Sequence, residues 1–341
     1  MAEVPLRFRA PGSKSLTQRA LILAALASGE SELASALDSD DTLHLRTALR
    51  GLGVAIDDTL PDRWRVNGGA LRPPAAPLWC GDGGTVVRFL APFALLLDAE
   101  LVLDGSSRLA ERPLGALLDA LRHLGVSSRP LAPPRGLPVA LRRSDAARHE
   151  VQVDASVSSQ FLSGLLMVAP CVPGGLSLGV GATVSRPYID MTLEAMRERG
   201  ACVVAQENRF LVEPGGYRAG PFEIEGDWSA AAFLLAGSFV AQRPVVVENI
   251  RAQSLQGDRA IAGFLEELER PRPHRFDLTS CPDLLPPLAA AAAFASHPSE
   301  ISGVAHARVK ESDRVSTLAQ GFAVAGVQIE ERTDGLLITP G

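Results

Sequence analysis

Leu121-Arg122-His123-Leu124-Gly125-Val126 is a helix ending followed at once by a β-prone stretch, and the chain repeats it. The same pattern stands at Leu49-Arg50-Gly51-Leu52-Gly53-Val54, Met196-Arg197-Glu198-Arg199-Gly200-Ala201 and Phe322-Ala323-Val324-Ala325-Gly326-Val327. In each, an amphipathic run closes on a glycine placed where a left-handed residue ends a helix. Gly53, Gly125 and Gly200 stand 72 and 75 residues apart, and 126 residues separate Gly200 from Gly326. A recurrence at such spacing marks an internal structural repeat.

Each repeat reads strand, helix, strand, helix, strand, strand. In the second these are Pro77–Cys80, Thr85–Leu97, Leu101–Leu103, Leu114–Leu124, Val126–Pro130 and Pro138–Arg142. In the third they are Glu150–Asp154, Ser159–Ala169, Leu176–Val180, Ile189–Arg199, Cys202–Gln206 and Arg209–Val212. Strands alternating with helices in this way make the class α/β. Two irregularities are expected. The fourth repeat, read from Pro221, runs from a helix ending at Glu269 into Arg270-Pro271-Arg272-Pro273 without a closing strand pair. A sixth repeat is absent. The most turn-rich linker, Glu213 to Gly220, is read as the divide between two halves, and 341 residues exceed one ordinary core.

Composition narrows the function classes. With 46% hydrophobic and 21% charged residues the chain reads as a soluble globular protein. A net charge of −6 argues against a general nucleic-acid binder. Cys80, Cys171, Cys202 and Cys281 show no C-x-x-C spacing and read as small hydrophobes in a reducing compartment. The six histidines have no paired ligand spacing, so no metal is expected. No signal pattern opens the chain, and apolar runs such as Leu285 to Ala295 are too short to span a bilayer. The reading is a cytoplasmic protein with no membrane partner.

Of 33 basic residues only Lys14 and Lys310 are lysine. Each sits in a dense polar cluster: Lys14-Ser15 with Arg19, and Lys310-Glu311 with Asp313 and Arg314. Lysine is a compact, deprotonatable point charge where arginine is a rigid fork. The other polar clusters also fall at helix starts, which present free N–H groups to anions. They are Gly81-Asp82-Gly83-Gly84-Thr85, Ser158-Ser159-Gln160, Ser185-Arg186-Pro187-Tyr188, Gly226-Asp227-Trp228 and Asp283. Asp40, Asp41 and Asp258 read as helix caps. Ser158-Ser159 suits a cap or an anion, and Gly81–Gly84 a tight turn or a phosphate loop. Arg112 and Arg314, placed at helix N-termini against the dipole, read either as solvated cations or as partners of an offsetting anion.

In order along the chain, these motifs resemble the 5-enolpyruvylshikimate-3-phosphate synthase family of enolpyruvyl transferases. Pro11-Gly12-Ser13-Lys14-Ser15 with Arg19 is similar to the family's opening motif, and Gly81 to Thr85 with Arg88 to its Gly-Asn-Ala-Gly-Thr segment. Glu111-Arg112-Pro113, Ser158-Ser159-Gln160, Ser185 to Thr192, Glu225-Gly226-Asp227, Pro282-Asp283 and Val309 to Arg314 follow in register. The resemblance implies a two-domain fold of repeated βαβαββ units, with one unit incomplete and the last absent here. It implies inward-packed helices, an active site between the domains, and an N-terminal strand that belongs with the C-terminal half. One domain would be residues 13–218, and the other would join 1–12 to 219–341.

The family's reaction moves the enolpyruvyl group of phosphoenolpyruvate to the 5-hydroxyl of shikimate 3-phosphate, through a tetrahedral intermediate and with no metal or cofactor. Carried over, Ser158, Ser159 and Ser185 would hold the shikimate phosphate. Lys14, Ser15, Arg19, Gln160, Tyr188, Asp283 and Lys310 would complete that site. Lys14, Gly84, Thr85, Arg112, Gln160 and Arg314 would face phosphoenolpyruvate. Asp283 would take the hydroxyl proton, and Lys14 or Glu311 would handle the proton at the methylene carbon. A monomer acting on these two small molecules is expected. Asp82 replaces the family's Asn, Phe89 its Pro, and no stretch matches its late His-Arg pair and lysine. Residues 1–341 are therefore expected to bind shikimate 3-phosphate better than phosphoenolpyruvate and to expose an apolar flank. The alternatives are a non-catalytic binder of shikimate 3-phosphate, or a transferase acting on UDP-N-acetylglucosamine. The latter is disfavoured by Ser15 and Arg19, and by the lack of a cysteine in the 104–113 loop.

Overall fold

The computed structural model describes residues 4–144, 148–310 and 312–340. The four glycines that defined the repeat all take left-handed backbone, with φ of 89°, 92°, 91° and 85° at Gly53, Gly125, Gly200 and Gly326. At the first, Gly53 N–H donates to Arg50 and Val54 N–H to Leu49. Gly200 and Ala201 repeat that pair of bonds onto Arg197 and Met196, as do Gly326 and Val327 onto Ala323 and Phe322. Crossed bonds of this kind satisfy the last helical carbonyls and turn the chain into the next strand.

Each complete repeat builds one four-stranded sheet with the same order: a parallel pair, then a hairpin whose second strand lies against the pair. Leu78–Trp79, Leu101–Asp104, Val139–Arg143 and Val126–Pro130 form one sheet. Glu150–Ala155, Leu176–Thr183, Arg209–Val212 and Val203–Gln206 form the next. His274–Asp277, Ser299–Ser302, Gly335–Thr339 and Gln328–Arg332 form a third. The described residues therefore have a repeated α/β architecture, with one repeat cut short. The chain passes from the helix Ile261–Leu268 through Arg270–Pro273 directly into His274, so among the described residues the Val245–Val247 sheet has two strands.

One strand assignment needs correction. Pro221–Glu223 does not open the fourth repeat. It pairs in parallel with Glu32–Ala34 and supplies the outer strand of the first sheet, with Gly29–Ala34, Arg63–Gly68 and Ala55–Leu60. The outer strand beside Val245–Val247 is Leu6–Phe8, from the N-terminus. The chain accordingly divides into a compact unit Gly12–Ile224 and a second made of Met1–Pro11 with Glu225–Gly341.

Within the larger unit the helix Lys14–Leu26 is buried on every side from Thr17 to Leu26. It joins a core with the helices Gly84–Leu90 and Ser159–Val168. The last two approach so closely that a Cβ on Gly164 would lie 2.5 Å from the Arg88 carbonyl oxygen. The single helix expected over 85–97 is instead Gly84–Leu90 followed by a 3-10 turn, Ala91–Leu95. Pro92 lacks the N–H that would continue it. In the smaller unit the helix Trp228–Ala241 is apolar along almost its whole length. It buries Trp228, Ala231, Ala232 and Ala236, yet leaves Phe233 55% exposed.

Candidate active site

In the larger unit, Lys14 opens its helix, and its ammonium lies 3.2 Å from the Asp41 carboxylate. Asp40 and Asp41 are not the caps that their residue type suggested. Ser39 caps that helix by accepting from Thr42 N–H, while Thr42 accepts from Ser39 N–H. This leaves Asp41 in the first turn, positioned to hold Lys14. Arg19, one helical turn beyond Ser15, is 2% exposed. Its guanidinium donates to the Thr192 hydroxyl at 2.8 Å and to the carbonyls of Ser15 and Tyr188 at 2.9 Å. The rings of Phe89 and Tyr188 lie 5.3 and 6.0 Å away. Burial pulls its pKa down to about 10, with Tyr188 opposing. Phe89, the departure from the family's Pro, thus provides an aromatic face for the buried cation.

Gln160 is fixed from two sides. Its Nε2 donates to the Thr85 hydroxyl at 2.9 Å, and its Oε1 accepts from Arg88 at 2.7 Å. Arg88 also donates to the Pro113 carbonyl at 2.8 Å. Arg88 was noticed only as part of a motif. Its position three residues after Thr85 puts it on the same helix face, a spacing that could have assigned it this role. Arg112 does not begin a helix of its own. It lies between the helices Ser107–Ala110 and Gly115–His123 and donates to the Asp82 carbonyl at 3.1 Å. Its guanidinium covers Gly84, where a Cβ would fall 2.6 Å from Arg112 Cζ. The Asp82 carboxylate accepts a hydrogen bond from the Ser106 hydroxyl.

The serines differ from one another. Ser158 caps the helix Ser159–Val168 by accepting from Gln160 N–H at 3.3 Å. Ser159 and Ser185 are both buried, and neither hydroxyl has a hydrogen-bond partner among the described residues. Ser185 precedes the helix Arg186–Glu198 with φ 55° and ψ 47°, a left-handed conformation that is costly for a residue with a Cβ. It makes no capping bond.

In the smaller unit, Asp283 stands in the 3-10 turn Pro282–Leu284 that leads into the helix Leu285–Ala293. Its Oδ1 accepts from Lys310 Nζ at 2.8 Å and from Arg314 at 2.5 Å. Burial raises this carboxyl, but the charges and hydrogen bonds of Lys310 and Arg314 outweigh it and hold the group well below the usual carboxylate range. Arg314 does begin the helix Arg314–Val324, and Asp283 is an anion that offsets its dipole penalty. Glu311 lies outside the described residues. Asp258 was read as a cap and is none. It is buried in the turn Gly257–Ala260 and accepts from the Ser229 hydroxyl. Among the described residues no group of three or more His, Cys, Asp or Glu is arranged to hold a metal, and no helix is long and apolar enough to cross a membrane.

The family described as EPSP synthase (3-phosphoshikimate 1-carboxyvinyltransferase) matches residues 3–341. A 3-phosphoshikimate 1-carboxyvinyltransferase of Methanothermobacter thermautotrophicus is 38% identical over 354 residues, spanning 98% of this chain and 83% of that protein. One from Salmonella typhimurium is 38% identical over 365 residues, spanning all of this chain and 85% of the relative. Among solved structures, an EPSP synthase from Acinetobacter baumannii has a TM-score of 0.81 at 23% identity, over 99% of this chain and 82% of its own.

Proposed function

Since the chain belongs to the EPSP synthase (3-phosphoshikimate 1-carboxyvinyltransferase) family, we infer that it is a transferase of the shikimate pathway. It moves the enolpyruvyl group of phosphoenolpyruvate onto the 5-hydroxyl of shikimate 3-phosphate and releases phosphate. In the addition step the 5-oxygen bonds to C2 of phosphoenolpyruvate, its proton leaves, and the C3 methylene gains a proton to become methyl. In the elimination step the C2–O bond to phosphate breaks, and a methyl proton departs to restore the double bond.

Both substrates are polyanions, and the polar groups divide between them by chemistry. The hydroxyls of Ser158, Ser159 and Ser185 receive the shikimate phosphate. Ser158 uses a lone pair for its cap and keeps its O–H to donate. Ser159 and Ser185 have the whole hydroxyl to give. Arg19 acts through the two carbonyls it holds, fixing Ser15 and Tyr188. Lys14, Arg112 and Arg314, with Thr85 and the tethered Gln160, receive phosphoenolpyruvate. Asp283 accepts the 5-hydroxyl proton. Paired with two cations it is a weak base. A phosphoenolpyruvate anion that draws Arg314 to itself would remove one of those charges and raise the carboxyl toward a useful pKa. Lys14 serves at the methylene carbon, with Glu311 as the alternative group.

The observation that carries this reading is the family match over residues 3–341. Phosphate release with both substrates, measured beside calorimetry with shikimate 3-phosphate alone, tests it. Turnover that needs both substrates supports the transferase. Heat of binding without any phosphate release would leave a binding protein instead.

A further inference from the structure

One carboxyl remains outside the roles given so far. Asp258 is 2% exposed. Its Oδ2 accepts from the Ser229 hydroxyl, in the first turn of Trp228–Ala241, while its Oδ1 is buried with no hydrogen-bond partner among the described residues. A buried carboxylate oxygen without a donor is costly, whereas the protonated acid is far less so. The turn Gly257–Ala260 packs against the turn Pro282–Leu284, so two carboxyls stand near each other in contrasting surroundings. Asp283 has two cations, and Asp258 has one hydroxyl. Burial first, and then the negative charge of Asp283, push Asp258 up to about 7. Asp227, at the start of the neighbouring helix, adds to the rise, and Lys310 opposes it. Trp228–Ala241 itself carries no titratable side chain. Cys281 faces the same carboxyl as a neutral thiol, pushed up to about 12 by burial and the nearby aspartates. Arg259, on the same turn, donates to the Ala252 carbonyl. His306 feels Lys310 and Asp283, and burial lowers it below the usual imidazole value.

We propose that Asp258 is a positioning residue that sets the charge of the Asp283–Lys310–Arg314 cluster: protonated, it leaves that cluster able to attract the phosphoenolpyruvate anion, and ionised, it cancels one unit of the positive charge. Paired environments that drive two carboxyls apart are how one site keeps an acid and a carboxylate together at neutral pH. The inference rests on the reading that Arg314 receives phosphoenolpyruvate.

Asp258→Asn keeps the shape and the Ser229 contact and removes the ionisation. The expected result is a KM for phosphoenolpyruvate close to wild type at about pH 6. At about pH 8 the wild-type KM should exceed that of the variant by of order tenfold, the effect of one charge across several ångströms of partly hydrated protein. The KM ratio is the readout, because kcat also follows the basicity of Asp283, to which Asp258 is coupled. The substrate's own ionisation is common to both proteins and cancels. A KM ratio that does not change with pH, or a variant equally weak at both pH values, overturns the proposal. Infrared titration of the carboxylic C=O stretch gives a reading free of turnover. A band lost near neutrality in wild type, and lost at lower pH in Asp283→Asn, supports the proposal even if Asp258→Asn fails to fold. The absence of such a band overturns it. Wild-type protein that releases no phosphate refutes the transferase reading, while the infrared titration still decides on Asp258.

Discussion

Replacing Gly84 with alanine places a methyl group where the guanidinium of Arg112 lies. An ideal Cβ would sit 2.6 Å from Arg112 Cζ and 2.7 and 2.8 Å from its terminal nitrogens. Carbon atoms pack favourably at about 3.5–4.0 Å, so the guanidinium must withdraw by roughly 1 Å. It can do so, because it ends a flexible side chain. The helix Gly84–Leu90 gains from the change, since alanine favours a helix over glycine by up to about 1 kcal/mol. The fold should therefore be as stable as before, with a melting temperature within a few degrees. The displaced cation loses its 3.1 Å bond to the Asp82 carbonyl and its aim at phosphoenolpyruvate. A charged hydrogen bond contributes about 1.5–3 kcal/mol, so the KM for phosphoenolpyruvate should rise about 10- to 150-fold. The KM for shikimate 3-phosphate should hardly move. Phosphate release measured with each substrate varied in turn, beside a thermal melt, checks both halves. If both KM values rise together, or neither does, Arg112 is not held over Gly84 to meet phosphoenolpyruvate.

Ser159→Ala and Ser185→Ala should each weaken shikimate 3-phosphate binding by about 1.5–3 kcal/mol in calorimetry; unchanged affinity in both would reduce these serines to packing. Ser185→Gly should lose the same binding yet melt higher than Ser185→Ala, because glycine adopts φ 55° without the penalty of about 1–2 kcal/mol. Asp283→Asn should lower turnover about 10²- to 10⁴-fold and leave shikimate 3-phosphate affinity nearly intact; preserved turnover would assign the proton to another group. Asp258 also makes stability depend on pH. A carboxyl raised from 3.8 to about 7 stabilises the fold fully below its unfolded pKa and loses that contribution as pH rises through about 7. Asp258→Asn should therefore gain stability relative to wild type between about pH 4 and pH 8, by at most on the order of 4 kcal/mol. Parallel denaturation curves across that range would contradict it.

Local constraints were the readable ones. A glycine after an amphipathic run is forced by the left-handed turn it must make, and all four such glycines make it. Parallel pairing has no comparable local mark. Leu6–Phe8 and Pro221–Glu223 are both three-residue β-prone segments, and nothing within either says which sheet it joins. One proline signal was missed. Pro92 cut short a helix read to Leu97. Aspartate next to a helix start read as a cap by residue type, yet Ser39 does the capping beside Asp40 and Asp41. Asp258 is buried because the helix carrying Ser229, 29 residues earlier in the chain, packs onto its turn. Such burial is a tertiary fact without a local pattern. The polar groups of the candidate site were legible because helix starts in a repeat recur at known places.

The pairing of Leu6–Phe8 with Val245–Val247 has a temporal side. Leu6–Phe8 leaves the ribosome while its partner strand is still 239 residues behind. At about 5–20 residues per second it waits for roughly 10–50 s, while residues 12–224, which contain every strand of their own three sheets, can close behind it. Synthesis therefore leaves a short strand unpaired until Val245–Val247 has emerged. Its length of three residues, with Arg7 at its centre and Arg9 just after it, is the kind of blunt, charged edge that resists wrong partners in the meantime.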